Sequence, residues 1–196
     1  MRLNRGLVTS FIYDGKAYDI DLTFDTVLTV FDVLDDKRLQ NEESAEICLD
    51  LLLQGQKYDK TKTIDLWNYV YKSFIHIEVK QAIEYDLEGN PMPIRDDDED
   101  DGALFDIVQD AEFIYASFRQ AYNINLFQER GKMHWKEFQA LLNGLPSDTI
   151  MQRIISIRSW EPSKHDDAEY KKEMEKLQRK YALEGTESKE VDEGYG

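Results

Sequence analysis

The acidic run RDDDEDDG, from Arg95 to Gly102, is the densest set of potential ligands in the chain and invites a calcium reading. An EF-hand-type loop needs carboxylate or carbonyl oxygens at positions 1, 3 and 5, a glycine at 6 and a bidentate carboxylate at 12. Counted from Asp97, Gly102 falls at position 6, but position 9 is Phe105 and position 12 is Val108, so the loop fails where affinity is made. The run reads instead as a solvated acidic linker. His76, His134 and His165 stand on three separate segments, with no HExxH and no cysteine pair, so no metal set is expected. The lone Cys48, inside ICLDLLL, cannot form an internal disulfide and reads as a buried reduced thiol of a reducing cytosol. There is no G-x-S-x-G, no P-loop and no G-x-G-x-x-G. Neither a catalytic site nor a cofactor is expected.

Composition narrows the remaining roles. Forty acidic against 24 basic side chains leave a net charge of −16, which repels nucleic-acid backbones and other copies of the chain alike. Direct nucleic-acid binding is therefore not expected. With 41% hydrophobic and 12% aromatic residues over 196 positions, the chain can bury a real core. The N-terminus lacks an apolar signal-type segment and no window is apolar enough to span a bilayer, so no membrane association is expected.

The elements that must carry any function follow from hydrophobic period. VTSFIYDGKAYDIDLT sets two β-prone runs around Asp14-Gly15, a pair suited to a two-residue turn in which both positions take positive φ, and predicts a β-hairpin from Val8 to Asp21. Its edge is a candidate contact for another molecule. Helices are predicted from Phe24 to Leu34, from Glu42 to Leu53, and from an N-cap at Thr63 to about Ile77 with a continuation to Tyr85.

After the acidic segment, Ile107, Ala111, Ile114, Tyr115, Phe118 and Tyr122 recur at helical spacing, and Trp135, Phe138, Leu141, Leu142 and Leu145 repeat the pattern up to Gly144-Leu145-Pro146. Ser147 or Asp148 is expected to cap a helix bearing Ile150, Met151, Ile154 and Ile155. Ser163, with Asp166, is expected to open a last one bearing only the thin stripe Tyr170, Met174, Leu177 and Tyr181. The fold class is thus mainly α, an N-terminal β-hairpin followed by a bundle of about six or seven helices. The expected layout is residues 1–86 as hairpin plus helices, 87–105 as an acidic mobile linker, 106–183 as a helical part within the same compact domain, and 184–196 as a disordered tail.

DIVQDAEFIYASFRQAYNINL (Asp106 to Leu126) and MHWKEFQALLNGLPSDTIMQRIISIR (Met133 to Arg158) resemble a family of small proteins of long-tailed phages and prophages of Gram-positive bacteria. These are encoded beside the tape measure protein and regarded as tail assembly chaperones. The likeness extends to DGKAYDIDLTFDT and KLQRKYAL, covering most of the chain in order, whereas the acidic linker falls in a part that varies within the family.

The resemblance implies a non-catalytic helper of the host cytoplasm, absent from the mature virion. It would mask the apolar tape measure protein until tail tube subunits assemble around it, and would self-associate. On that expectation Tyr115, Phe118, Tyr122, Trp135, Phe138, Tyr170, Met174, Leu177 and Tyr181 are the candidate partner-binding residues. Two other roles remain open from the residues alone: an acidic inhibitor or DNA mimic that occupies a host nucleic-acid-binding protein, and a structural tail component.

Overall fold

Asp14 and Gly15 take φ of +48° and +75°, so the chain reverses in a two-residue turn of the expected kind. The computed structural model describes residues 4–76, 104–164 and 166–184. Within them run strands β1 (Ser10–Tyr13) and β2 (Lys16–Asp19) and helices α1 (Phe24–Asp35), α2 (Asn41–Leu52), α3 (Thr63–Val70), α4 (Ala111–Tyr122), α5 (Trp135–Asn143), α6 (Ile150–Arg158) and α7 (Ala168–Tyr181). The class is as expected, seven α-helices and one antiparallel hairpin among the described residues. The predicted continuation to Tyr85, most of the acidic linker, His165 and nearly all of the tail lie outside them.

Two compact units share the chain, each assembled from segments that are not contiguous in sequence. The first gathers β1, β2, α1, α2, α3 and α5, and the second α4, α6 and α7. The reason is visible at the start of α5. Phe24 N–H donates to the Met133 carbonyl at 3.0 Å and Trp135 N–H to the Leu22 carbonyl at 2.6 Å, a two-bond bridge that binds the entry of α5 to the entry of α1.

In the first unit Phe11 stacks on Tyr18 at 5.5 Å and meets the rings of Tyr69 and Phe74, which seats the hairpin's inner face on α3 and the turn after it. Val27 and Val30 of α1 and Cys48, Leu49 and Leu52 of α2 are fully excluded from water, each such aliphatic side chain contributing about 1.5–3 kcal/mol. A capping box between Gln40 and Glu43 starts α2. Thr63 proves to be the first residue of α3 rather than its cap. Asp59, accepting from the Thr61 N–H at 3.0 Å, caps a short 3-10 turn (Lys60–Lys62) that leads into the helix. Beyond Val70 the helix widens into a π-helical turn, Tyr71–Ile75, whose last carbonyl receives the buried Trp135 indole N–H at 2.9 Å.

In the second unit three expected helix starts move. Ile107 precedes α4, because the Asp106 carboxylate accepts from the Val108 and Gln109 N–H groups at 2.9 and 2.7 Å and holds a separate turn. Neither Ser147 nor Asp148 caps α6; the buried Ser117 hydroxyl of α4 accepts the Met151 N–H at 3.1 Å in their place. Asp166 does accept the Ser163 N–H at 2.7 Å, but α7 opens four residues later than that turn suggests, at the Asp167 carboxylate, which accepts the Tyr170 N–H at 2.6 Å.

Candidate interaction surface

The nine aromatic and aliphatic candidates divide sharply by exposure. Phe118, Trp135 and Phe138 are 0%, 0% and 1% exposed, so they are core and present nothing to a partner in this fold. Phe138 stacks between Trp135 at 5.4 Å and Phe24 at 5.3 Å, with Phe31 tilted against the indole. Tyr115 and Tyr122 are half-buried on α4, Tyr122 edge-on to Phe118, and burial pushes its phenol above the usual range.

The α7 stripe is different. None of the 14 residues of α7 is buried. Tyr170 is 45% exposed and meets Trp160 edge-on at 6.0 Å, Met174 and Leu177 are half-exposed, and Tyr181 turns its ring edge-on to Phe113 at 6.1 Å. The C-terminal end of the stripe is therefore engaged within its own unit, while the Tyr170–Met174 end carries the more open apolar surface.

What holds that helix was not among the sequence candidates. Arg158, at the end of α6, donates to both Asp110 carboxylate oxygens at 2.6 and 2.8 Å, to the Leu104 carbonyl at 3.1 Å and, through Nε, to the Tyr181 carbonyl at 2.7 Å. The Asp110 side chain is only 2% exposed and that of Arg158 10%. One guanidinium thus satisfies a buried carboxylate and the open end of α7 together, using the planar fork that suits arginine to such sites. Gln178 on α7 adds bonds to the carbonyls of Arg158 and Trp160. At the start of the expected tail, Gln109 and Glu184 exchange two hydrogen bonds, so Glu184 is held. The Arg158–Asp110 partners lie 48 residues apart, and no local pattern marks such a pair.

The chemical candidates resolve simply. Cys48 is fully buried and desolvation pushes its thiol up to about 12, so it is not a thiolate nucleophile at neutral pH. His134 caps α5, its Nδ1 accepting the Lys136 N–H at 3.0 Å while Nε2 meets the Val8 carbonyl at 3.0 Å. An open cleft at the hairpin tip is lined by Lys16 and Lys62, but Lys62 pairs with Asp14 and Lys16 bonds the Lys57 carbonyl. Among the described residues no three His, Cys, Asp or Glu side chains are gathered as a metal set, and no helix is long and apolar enough to cross a membrane.

None of the curated proteins and none of the solved structures compared with the chain matches it. A family model described as Bacteriophage Gp15 protein does, from residue 3 to residue 183, which takes in both structural units and every candidate residue named above. With the match extending over nearly the whole sequence, the chain belongs to the Bacteriophage Gp15 protein family.

Proposed function

We propose that this phage protein is a tail assembly chaperone: it covers apolar flanks of the tape measure protein in the host cytoplasm until tail tube subunits take over, and it does not remain in the virion. The observation that carries the reading is α7, a 14-residue amphipathic helix with no buried residue, whose Tyr170–Met174 end offers aromatic and thioether surface. Such surfaces suit an apolar helical client because they adapt by rotamer and need no matched charge. The charge of −16 keeps neighbouring copies apart when many line one rod.

Co-expression tests it. The neighbouring tape measure protein should become more soluble with the chain than without it and should elute with it. A variant carrying Tyr170→Ser, Met174→Gln and Leu177→Gln should fold yet lose that effect. Equal solubility with and without the chain would sink the proposal.

The same charge favours a second reading, an acidic inhibitor that fills the basic groove of a host nucleic-acid-binding protein. Ionic strength separates the two, because charge mimicry weakens steeply with salt whereas apolar masking survives it. A third, a structural tail component, would place the chain in purified virions.

A further inference from the structure

The hairpin has two edges, and they are finished differently. Ile20 N–H donates to the Thr9 carbonyl at 2.9 Å, so by alternation Phe11 with Tyr18 and Tyr13 with Lys16 are the hydrogen-bonded pairs of the ladder. The main-chain groups of Ala17 and Asp19 then point away from β1, and those of Val8, Ser10 and Ile12 away from β2. On the β2 side Gln56 closes the edge at Asp19: its Oε1 accepts the Asp19 N–H at 3.2 Å and its Nε2 donates to the Asp19 carbonyl at 2.8 Å. On the β1 side His134 takes the Val8 carbonyl and stops there. No group among the described residues bonds the main chain of Ser10 or Ile12, and the Ile12 side chain, 70% exposed, stands beside them on the outer face. Open strand edges of this kind are templates for another strand.

We propose that this edge pairs antiparallel with β1 of a second copy about a two-fold axis, Ser10 of each chain opposite Ile12 of the other, to give a four-stranded sheet. The main chain specifies an extended backbone as occupant, because the free donors and acceptors of Ser10 and Ile12 repeat every second residue. The charge pattern specifies a second copy. On a chain of net charge −16 most surfaces repel their own kind, yet Gly6–Tyr13 holds no charged side chain. Arg5 bounds that stretch at one end and Asp14, already paired with Lys62, at the other, so antiparallel pairing keeps the two Arg5 side chains at opposite ends of the new ladder, whereas parallel pairing would set like charges side by side. The register is limited from below by His134 on Val8 and from above by the turn at Asp14, which leaves Ser10 to Ile12. It supplies four main-chain bonds and brings the two Ile12 side chains together diagonally. A two-stranded sheet is marginal alone, and the pairing doubles it. The proposal does not rest on the chaperone reading.

Sedimentation equilibrium of the full chain across micromolar to millimolar concentrations tests it. A reversible dimer is expected. Ser10→Pro removes the outward N–H at a position where an edge strand accepts proline, and should weaken dimerisation roughly ten-fold or more, since both copies lose a bond, while circular dichroism stays that of the parent. Should that variant misfold, Ile12→Lys places cations diagonally across the axis and serves the same purpose. A mixture of Ser10→Cys and Ile12→Cys chains should form interchain disulfides under mild oxidation well beyond either alone, with the buried Cys48 contributing none. A parent that stays monomeric throughout, folded edge variants that dimerise as tightly as the parent, or a mixture that cross-links no better than the single variants would each overturn the proposal.

Discussion

Helices α5 and α7 carry the same kind of amphipathic signal and meet opposite fates. In α5, Trp135, Phe138 and Leu142 are 0%, 1% and 6% exposed, whereas α7 buries nothing. Period alone does not explain the difference, since both helices repeat apolar residues every three or four positions. The stripes differ in breadth and in anchorage. The face of α5 is aromatic, and its first residues are tied to α1 by the bridge at Leu22, Phe24, Met133 and Trp135. Between its four stripe residues α7 carries Lys171, Lys172, Glu173, Glu175, Lys176, Arg179 and Lys180, and its tightest anchor is the Tyr181 carbonyl at its far end. An amphipathic helix thus supplies core where other elements fix both its start and its face, and surface where only one end is held.

Breaking α5 should have the largest effect. Trp135→Ala removes a fully buried indole stacked on Phe138 and should cost about 3–5 kcal/mol in a urea titration, and a cost below about 1 kcal/mol would show that α5 is not core. Second comes the pin of α7. Arg158→Met leaves the Asp110 carboxylate buried without its partner and should cost about 3 kcal/mol, while Arg158→Met with Asp110→Leu should recover part of it; a double variant no better than the single would contradict the ion-pair account.

A smaller effect should appear where α5 meets α1. Asp21 accepts the Thr23 N–H at 2.9 Å and the Thr26 hydroxyl at 3.1 Å. Burial raises its carboxyl, but the bonds from Thr23 and Thr26 outweigh it and hold the group below its ordinary value. A carboxyl depressed in the folded state contributes stability above its unfolded pKa and loses it as pH falls through the folded one. Asp21→Asn should therefore be less stable than the parent by about 1 kcal/mol at pH 7, with the gap closing as the pH falls below about 4. A gap that is unchanged at pH 3 would refute this. The smallest effect is expected on α7 itself: Met174→Gln should cost under about 1 kcal/mol of folding, measured by thermal melting, because its side chain is already half in water.

Much of this architecture was legible in advance because it rests on local signals. Asp14-Gly15 dictates its own turn, Gly144 with Pro146 stops α5, the stripe around Cys48 is buried throughout, and those around Val27 and Phe118 announce helices that bury only part of the expected face, with Leu34 and Ala111 left exposed. Helix starts were less legible. The groups that satisfy the first N–H donors can come from elsewhere, as Ser117 does for α6, or can build a turn of their own, as Asp106 does before α4. Of the nine candidate contact residues, Phe118, Trp135 and Phe138 went to the core, since a sequence shows that a face is apolar but not what covers it.

By itself the sequence determined a mainly helical chain with one leading hairpin and a net charge of −16, because turn chemistry, period and charge are properties of neighbouring residues. Only the tertiary structure decided that α5 joins the N-terminal elements, that Arg158 reaches Asp110 across 48 residues, and that Gln56 takes the hairpin edge at Asp19 while no group among the described residues bonds the main chain of Ser10 and Ile12. Those outcomes depend on which distant group arrives within hydrogen-bonding reach of an unsatisfied donor or acceptor, and no local pattern encodes that arrival.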